Sequence, residues 1–318
     1  MSRLLLARFA ESIFWLARYM ERAENLARLL DVNEVFSRDR RGSTNWDSIV
    51  RLNSDHERFF AAYGAATPEN VVRFYTLDAG NPTSILSAVK AARENARVLR
   101  PLISTEMWSQ LNVFHNRLLG LGAEDIQPHR LSKLCAWIKE SAQAHTGIVE
   151  GTFYRDQGWY FYQLGKALER ADQTTRILDI KYHALLPSPE DVGSPLDLSQ
   201  WNALLRSVAG YHAFRRVYPR GMDPAAVAGF LLFNEAFPRS VYVSVRQLAH
   251  QLGRLKSTYE LRRGSAALEL LDEIQSELEG HTIDQVIALG LHEYLDRLQV
   301  QLSAVSGEIG RAYFGYAD

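Results

Sequence analysis

The chain has 318 residues, 47% of them hydrophobic and 23% charged, enough to bury a large core as one large domain or two small ones. A formal net charge of -1 excludes a strong long-range field of either sign, so neither nucleic acid nor an anionic membrane is an expected partner. Cys135 is the single cysteine; it lies in the apolar run "LCAWI", which excludes an intrachain disulfide and a multi-thiolate metal site and reads as a buried, inert thiol.

The opening "MSRLLLARFAESIFWL" has Arg8 and Glu11 inside its apolar run and no small-residue cleavage site after it, so it reads as the start of a mature helix. No window reaches the roughly 18 uninterrupted apolar residues of a membrane span, and the expected location is the cytoplasm. The first helix is predicted from about Leu4 to Val35, ending before the polar "SRDRRGSTN". Shorter helices lead to a break at "DAGNPTS", where Ser84 can cap "SILSAVKAARENARVLR". "STEMWSQLNVFHNRLL" follows and ends at Gly120. The segment "GLGAEDIQP" then offers a boundary between possible halves 1–122 and 123–318 of one domain, 1–318.

Beyond it come a helix around "RLSKLCAWIKESAQAHTGIVEG" and a long one stopping at "LLPSPEDVGSP", where three prolines exclude helix. Further helices are predicted near Leu198–Tyr211, Ala225–Phe233, Pro238–Leu255, Ser265–Glu279 and Leu291–Phe314. No series of alternating strands interrupts them. The expected fold is all-α, an antiparallel helical bundle, because the connections are short.

Its distinctive feature is an internal duplication of a long Glu-Arg helix. "FWLARYMERAENLARLLD" (Phe14 to Asp31) and "YQLGKALERADQTTRILD" (Tyr162 to Asp179) align with an offset of 148. Leu16, Glu21, Arg22, Ala23, Arg28, Leu30 and Asp31 meet identical residues; Arg18/Lys166, Glu24/Asp172 and Asn25/Gln173 match in chemistry. An apolar stripe marks one face of each helix, with Arg18, Glu21, Arg22 and Asn25, or Lys166, Glu169, Arg170 and Gln173, projecting opposite it. On a solvated face these charges would pair locally, Arg18 with Glu21, Glu24 with Arg28, Lys166 with Glu169 and Asp172 with Arg176, at about 0.2–0.5 kcal/mol each. Two divergent copies that keep the same polar chemistry argue for more. Adjacent Glu and Arg point about 100° apart and cannot satisfy each other. The two helices are expected to face one another about a pseudo-twofold axis, with Glu21, Arg22, Glu169 and Arg170 in a buried or cleft-lining network.

These segments, together with "NPTSILSAVKAARENARVLR", "STEMWSQLN" and "FNEAFPRSVYVSV", resemble the alpha-E domain family, bacterial all-helical proteins with a Glu-Arg motif and no established function. The resemblance covers nearly the whole chain; Lys166 stands where the family more often has arginine. It implies association with circularly permuted ATP-grasp proteins and transglutaminase-like peptidases, a peptide- or amide-forming context.

Three other features add candidates. Arg239 and Ser240 in "FPRSVYVSV" stand in the first turn of a helix beginning at Pro238, where free amides and the dipole could hold a carboxylate or phosphate. Arg93, Arg97 and Arg100 share one helix edge that could line an acidic-ligand groove, or simply be solvated. Trp159, Tyr160, Phe161 and Tyr162 point in too many directions for one core face. The chain has no GxxxxGK loop, GxSxG elbow, HExxH or paired Glu-x-x-His, so no cofactor or metal is expected.

The first functional expectation is a non-nucleotide-binding component of an ATP-grasp amidoligase system. Arg22 and Arg170 would fix carboxylates while Glu21 and Glu169 hold an amine or orient the arginines, with Arg18, Asn25, Arg28, Lys166, Gln173 and Arg176 around them. Replacing both glutamates by glutamine should then spare the fold and abolish product formation. The alternatives are a stand-alone enzyme with a raised-pKa Glu21 or Glu169 as general base, or a scaffold in which the charges fix helix register.

Overall fold

The computed structural model describes residues 5–39, 46–185, 194–261 and 263–317. Among them it is all-α, with fifteen α-helices and no strand. The centre is a pair of long helices, α1 (Ala7–Asp39) and α8 (Gln157–Leu185). The first runs longer than the periodicity suggests: Ser37 to Asp39, assigned to the polar loop by composition, continue the helix. The rest of that loop and most of the proline-bearing seam after Leu185 lie outside the described residues.

Between them in the chain lie α2 (Asp47–Leu52), α3 (His56–Tyr63), α4 (Pro68–Thr76), α5 (Ile85–Val98), α6 (Thr105–Leu119), a short 3-10 turn (Ala123–Ile126) and α7 (Pro128–Thr152). Ser84 caps α5 by accepting the Ser87 N–H, as its position before the apolar run predicts. After α8 come α9 (Pro195–Ser207), α10 (Tyr211–Val217), α11 (Pro224–Phe233), α12 (Val241–Tyr259), α13 (Ser265–Gly280), α14 (Ile283–Leu289) and α15 (Leu291–Ile309), which runs into a π-helical turn, Gly310–Phe314. The helix predicted near Leu198–Tyr211 is two, α9 and α10, separated at Ala209, whose φ is +56°. The 282–289 segment forms α14 behind a Thr282 capping box that the periodicity did not single out.

Two neighbouring pairs, α1 with α7 and α8 with α15 and its π-helical turn, run antiparallel. Gln143 and Lys139 of α7 meet Glu24 and Asp31 of α1 in reversed order; Phe161 and Asp179 of α8 meet Tyr313 and His292 likewise. The central pair departs from that pattern. Leu5 N–H donates to Gln157, Phe14 lies against Gly165, and Arg22 bonds Glu169, so both sequence numbers rise together and α1 and α8 run parallel.

At the Phe14 crossing the two backbones touch. A Cβ on Gly165 would lie 2.2 Å from the Phe14 carbonyl oxygen, so only glycine permits this approach. Ala23, Leu26, Ala27 and Leu30 of α1, and Leu164, Leu168, Ala171 and Leu178 of α8, are buried as the apolar stripe predicts. The opposite face is covered too: Glu21, Glu24, Asn25 and Arg28 are no more than 4% exposed, because other helices enclose α1 on every side. Trp159, Phe161 and Tyr162 are buried and Tyr160 packs on Tyr259, so the aromatic cluster fills several contacts around α8. Cys135 is fully buried, and desolvation pushes its thiol well above its ordinary pKa. No helix among the described residues is long and apolar enough to cross a membrane.

Candidate functional site

The parallel run of α1 and α8 sets like positions beside each other, and the two Glu-Arg pairs exchange partners. Glu169 accepts Arg22 through Nε (2.6 Å) and Nη2 (3.0 Å), while Glu21 accepts Arg170 through Nε (2.9 Å) and Nη2 (2.8 Å). Both are the fork-to-fork geometry that makes arginine–carboxylate pairs strong. Arg18 adds a third contact to Glu169, Nε to Oε2 at 2.8 Å. Its other nitrogen Nη1 donates to Ser306 Oγ of α15 at 2.8 Å.

The i,i+4 pairs form as predicted, Arg28 on Glu24 and Arg176 on Asp172. The i,i+3 pairing of Arg18 with Glu21 does not, because Arg18 reaches across to Glu169 instead. Lys166, the counterpart of Arg18, likewise is not paired with Glu169. On its side the second cation on Glu21 is Arg239, which also bonds Asn25 and Glu24 from the loop before α12. Asn25 and Gln173 brace Glu21 and Glu169 from one turn on, at 3.2 and 3.4 Å.

This settles where Arg239 and Ser240 stand. Ser240 is the N-cap of α12, not a residue of its first turn; its Oγ accepts the Val243 N–H and donates to the Asn234 carbonyl. Arg239 turns away from the helix end toward Glu21, Asn25 and Glu24, and the Ser240 hydroxyl takes one of the free N–H groups there, which is the helix-entry reading of this segment. Arg93 and Arg97 are not brought to the lattice. Arg93 bonds Asn112 and Glu94 and lies over Trp108, and the exposed Arg97 pairs with Glu94.

Burial pushes the glutamate carboxyls up, but the arginines outweigh it. Arg22 and Arg18 hold Glu169 at about 2, and Arg170 and Arg239 hold Glu21 far below the usual carboxylate range. The raised basicity expected of a general base is therefore reversed in sign, because each carboxylate is bidentate to a guanidinium. Desolvation brings Arg239 down to about 10 and also lowers Lys166, whose neighbour Arg170 adds to the effect.

The lattice carries more cation than anion. Among the described residues, Arg18, Arg22, Arg28, Arg170, Arg176 and Arg239 form ion pairs with four carboxylates, Glu21, Glu24, Glu169 and Asp172. A cleft of about 510 Å³ opens on one side of it, walled by Arg18, Arg22, Arg176, Gln299, Ser303 and Ser306. Asp172 is the one acidic side chain in its wall. Arg22 spends Nε and Nη2 on Glu169, and the buried Gln299 Nε2 has no hydrogen-bond partner among the described residues. The corresponding place by Glu21 is filled by Arg239.

Gln299, Ser303 and Ser306, and the rim residues Trp15 and Tyr316, escaped the sequence reading. The signal was faint: Ser303 and Ser306 are small polar residues three apart in α15, which cannot be tied to α1 by spacing alone. Elsewhere Asp179, His292 and Asp296 bring one ligand atom each within 4.8 Å of one another.

A family model for Alpha-E, described as a predicted alpha-helical domain with a conserved ER motif, matches residues 5–314. The chain belongs to the Alpha-E family. The exchanged pairs Glu21-Arg22 and Glu169-Arg170 both fit the motif in that description, so in this Alpha-E domain each is a buried crosslink between α1 and α8. Similar curated proteins are uncharacterized: Mb2597 of Mycobacterium bovis, MT2643 of Mycobacterium tuberculosis strain CDC 1551 and Rv2567 of strain H37Rv, each 25% identical over 331 residues. The match covers 93% of this chain and 35% of each relative, so the Alpha-E chain spans about a third of those proteins' length. No solved structure matches it.

Proposed function

We propose that this Alpha-E protein is a non-nucleotide-binding component of an ATP-grasp amidoligase system, and that it holds the carboxylate substrate in the cleft beside Arg22. The observation that carries the carboxylate reading is the excess of guanidinium over carboxylate along that cleft. Arg18, Arg22 and Arg176 line it against a single acidic residue, Asp172, with Gln299, Ser303 and Ser306 beside them. Arg18 and Arg22 share one carboxylate, Glu169, and Arg176 has Asp172, so this side holds one more cation than it has carboxylates, and a ligand carboxylate would balance that excess while accepting charge-assisted hydrogen bonds from the guanidinium N–H groups. A lattice that only fixed helix register would have no use for a donor-lined opening.

The partnership with an ATP-grasp protein rests on the family resemblance of the four quoted segments. In this reading Glu21 and Glu169 orient arginines and take no proton, and a transglutaminase-like peptidase is a second candidate partner. The test is reconstitution. Wild-type protein should retain an ATP-grasp protein from native extract at low salt, and the pair should release ADP when given carboxylate and amine together. Ser303 is exposed at the cleft wall, so Ser303→Asp, which sets an anion inside the cleft without touching the core, should cut that turnover at least tenfold. Equal turnover with the variant, or no ATP-grasp protein recovered by folded bait, would refute the proposal.

A further inference from the structure

The cleft is not polar throughout. Besides the arginines its lining includes Trp15, Leu26, Leu168, Leu302 and Tyr316, and Tyr316 is placed there by several features at once. The chain leaves α15 through the π-helical turn Gly310–Phe314 and reverses at Gly315, whose φ is +83°. The Tyr316 ring then lies where a Cβ on residue 310 would be, 2.2 Å from its Cδ2, so Gly310 is the residue that admits the ring. Its hydroxyl accepts the Trp15 indole N–H at 3.0 Å and donates to Glu11 at 2.8 Å. Trp15 is held in turn by the Arg18 guanidinium, 4.6 Å from its ring centroid. Tyr316 nonetheless remains 42% exposed at the cleft mouth.

A π turn, a left-handed glycine and a missing Cβ together hold one large, partly exposed aromatic ring beside a cluster of guanidiniums. We infer that Trp15 and Tyr316 are specificity-determining residues, and that the carboxylate ligand carries a flat apolar side chain lying on this aromatic wall. The inference rests on the carboxylate reading of the cleft and adds the chemistry of the ligand's other end. A ligand that stacks on a ring while its carboxylate is forked by arginine gains from both contacts. A small carboxylate gains only the second.

Titration calorimetry on the full chain with N-acetylglycine and N-acetylphenylalanine, equal in charge and carboxylate geometry, tests it. N-acetylphenylalanine should bind at least tenfold tighter. Tyr316→Ser should reduce that ratio below about threefold, chiefly by weakening N-acetylphenylalanine binding, and Trp15→Leu should act in the same direction. Equal affinity for the two probes on wild type, or a preference that survives both substitutions, would overturn the aromatic wall and leave the carboxylate cleft standing. Binding of neither probe would remove the cleft reading itself, and this inference with it.

Discussion

At the scale of single residues, Glu169 shows how burial changes the meaning of a charged side chain. It is fully buried and accepts from Arg18 and Arg22, so Glu169→Gln removes the counter-charge of two enclosed guanidiniums. The expected loss is about 3–5 kcal/mol, the cost of breaking a buried pair by deleting one partner, measured by urea unfolding. That cost weighs against the expectation that glutamine at both 21 and 169 spares the fold, because Glu169 lies on the buried side of the network foreseen as buried or cleft-lining. The same bonds set an acid limit. The folded pKa of Glu169, about 2, lies below its ordinary 4.5, so the unfolded chain takes up a proton first as pH falls. The stabilisation is complete above about pH 5 and drains away as pH drops toward 2. Unfolding midpoints followed from pH 7 to pH 2.5 should fall steadily below pH 5, and a midpoint flat across that range would contradict the assignment.

At the scale of elements, what could be foreseen was local and what could not was long-range. Ser84 as a cap, the apolar stripe of α1, and the Glu24–Arg28 and Asp172–Arg176 pairs are each decided within a few residues, and each stands where spacing put it. Arg239 was picked out, but its partners are 214 to 218 positions away, so no helical spacing could name them. The parallel sense of α1 and α8 escaped for a related reason. Short connections dictate antiparallel neighbours, but these helices are separated by six others and their pairing is set by Gly165. Gly165→Ala puts a methyl group into the Phe14 carbonyl. Overpacking typically costs 1–3 kcal/mol, and a backbone obstacle places this substitution at or beyond the upper end of that range. Thermal unfolding should show it, whereas Gly147→Ala, with nothing near its Cβ, should leave the midpoint unchanged or raised.

At the scale of the whole molecule, a chain of formal net charge -1 gathers six guanidiniums and four carboxylates along α1 and α8, in one set of ion pairs on Glu21 and Glu24, a second on Glu169, and the Asp172–Arg176 pair. Net charge alone could not reveal this, because it sums over every residue of the chain wherever it lies. Any anion that occupies the cleft should stabilise the folded state by linkage, by about 2.7 kcal/mol at a hundred times its dissociation constant. Sodium N-acetylphenylalaninate should therefore raise the melting temperature of wild type above an equal concentration of sodium chloride, and should do so far less in Ser303→Asp. The contact of Gly165 with Phe14 has one more consequence, for tolerance. With backbone already against backbone, the helices cannot draw closer when a side chain between them is shortened. Arginine spans the gap with two nitrogens, whereas lysine brings one and finds no slack to take up. Arg22→Lys and Arg170→Lys keep the charge on paper, but the frame holding the two motifs is already at its narrowest setting.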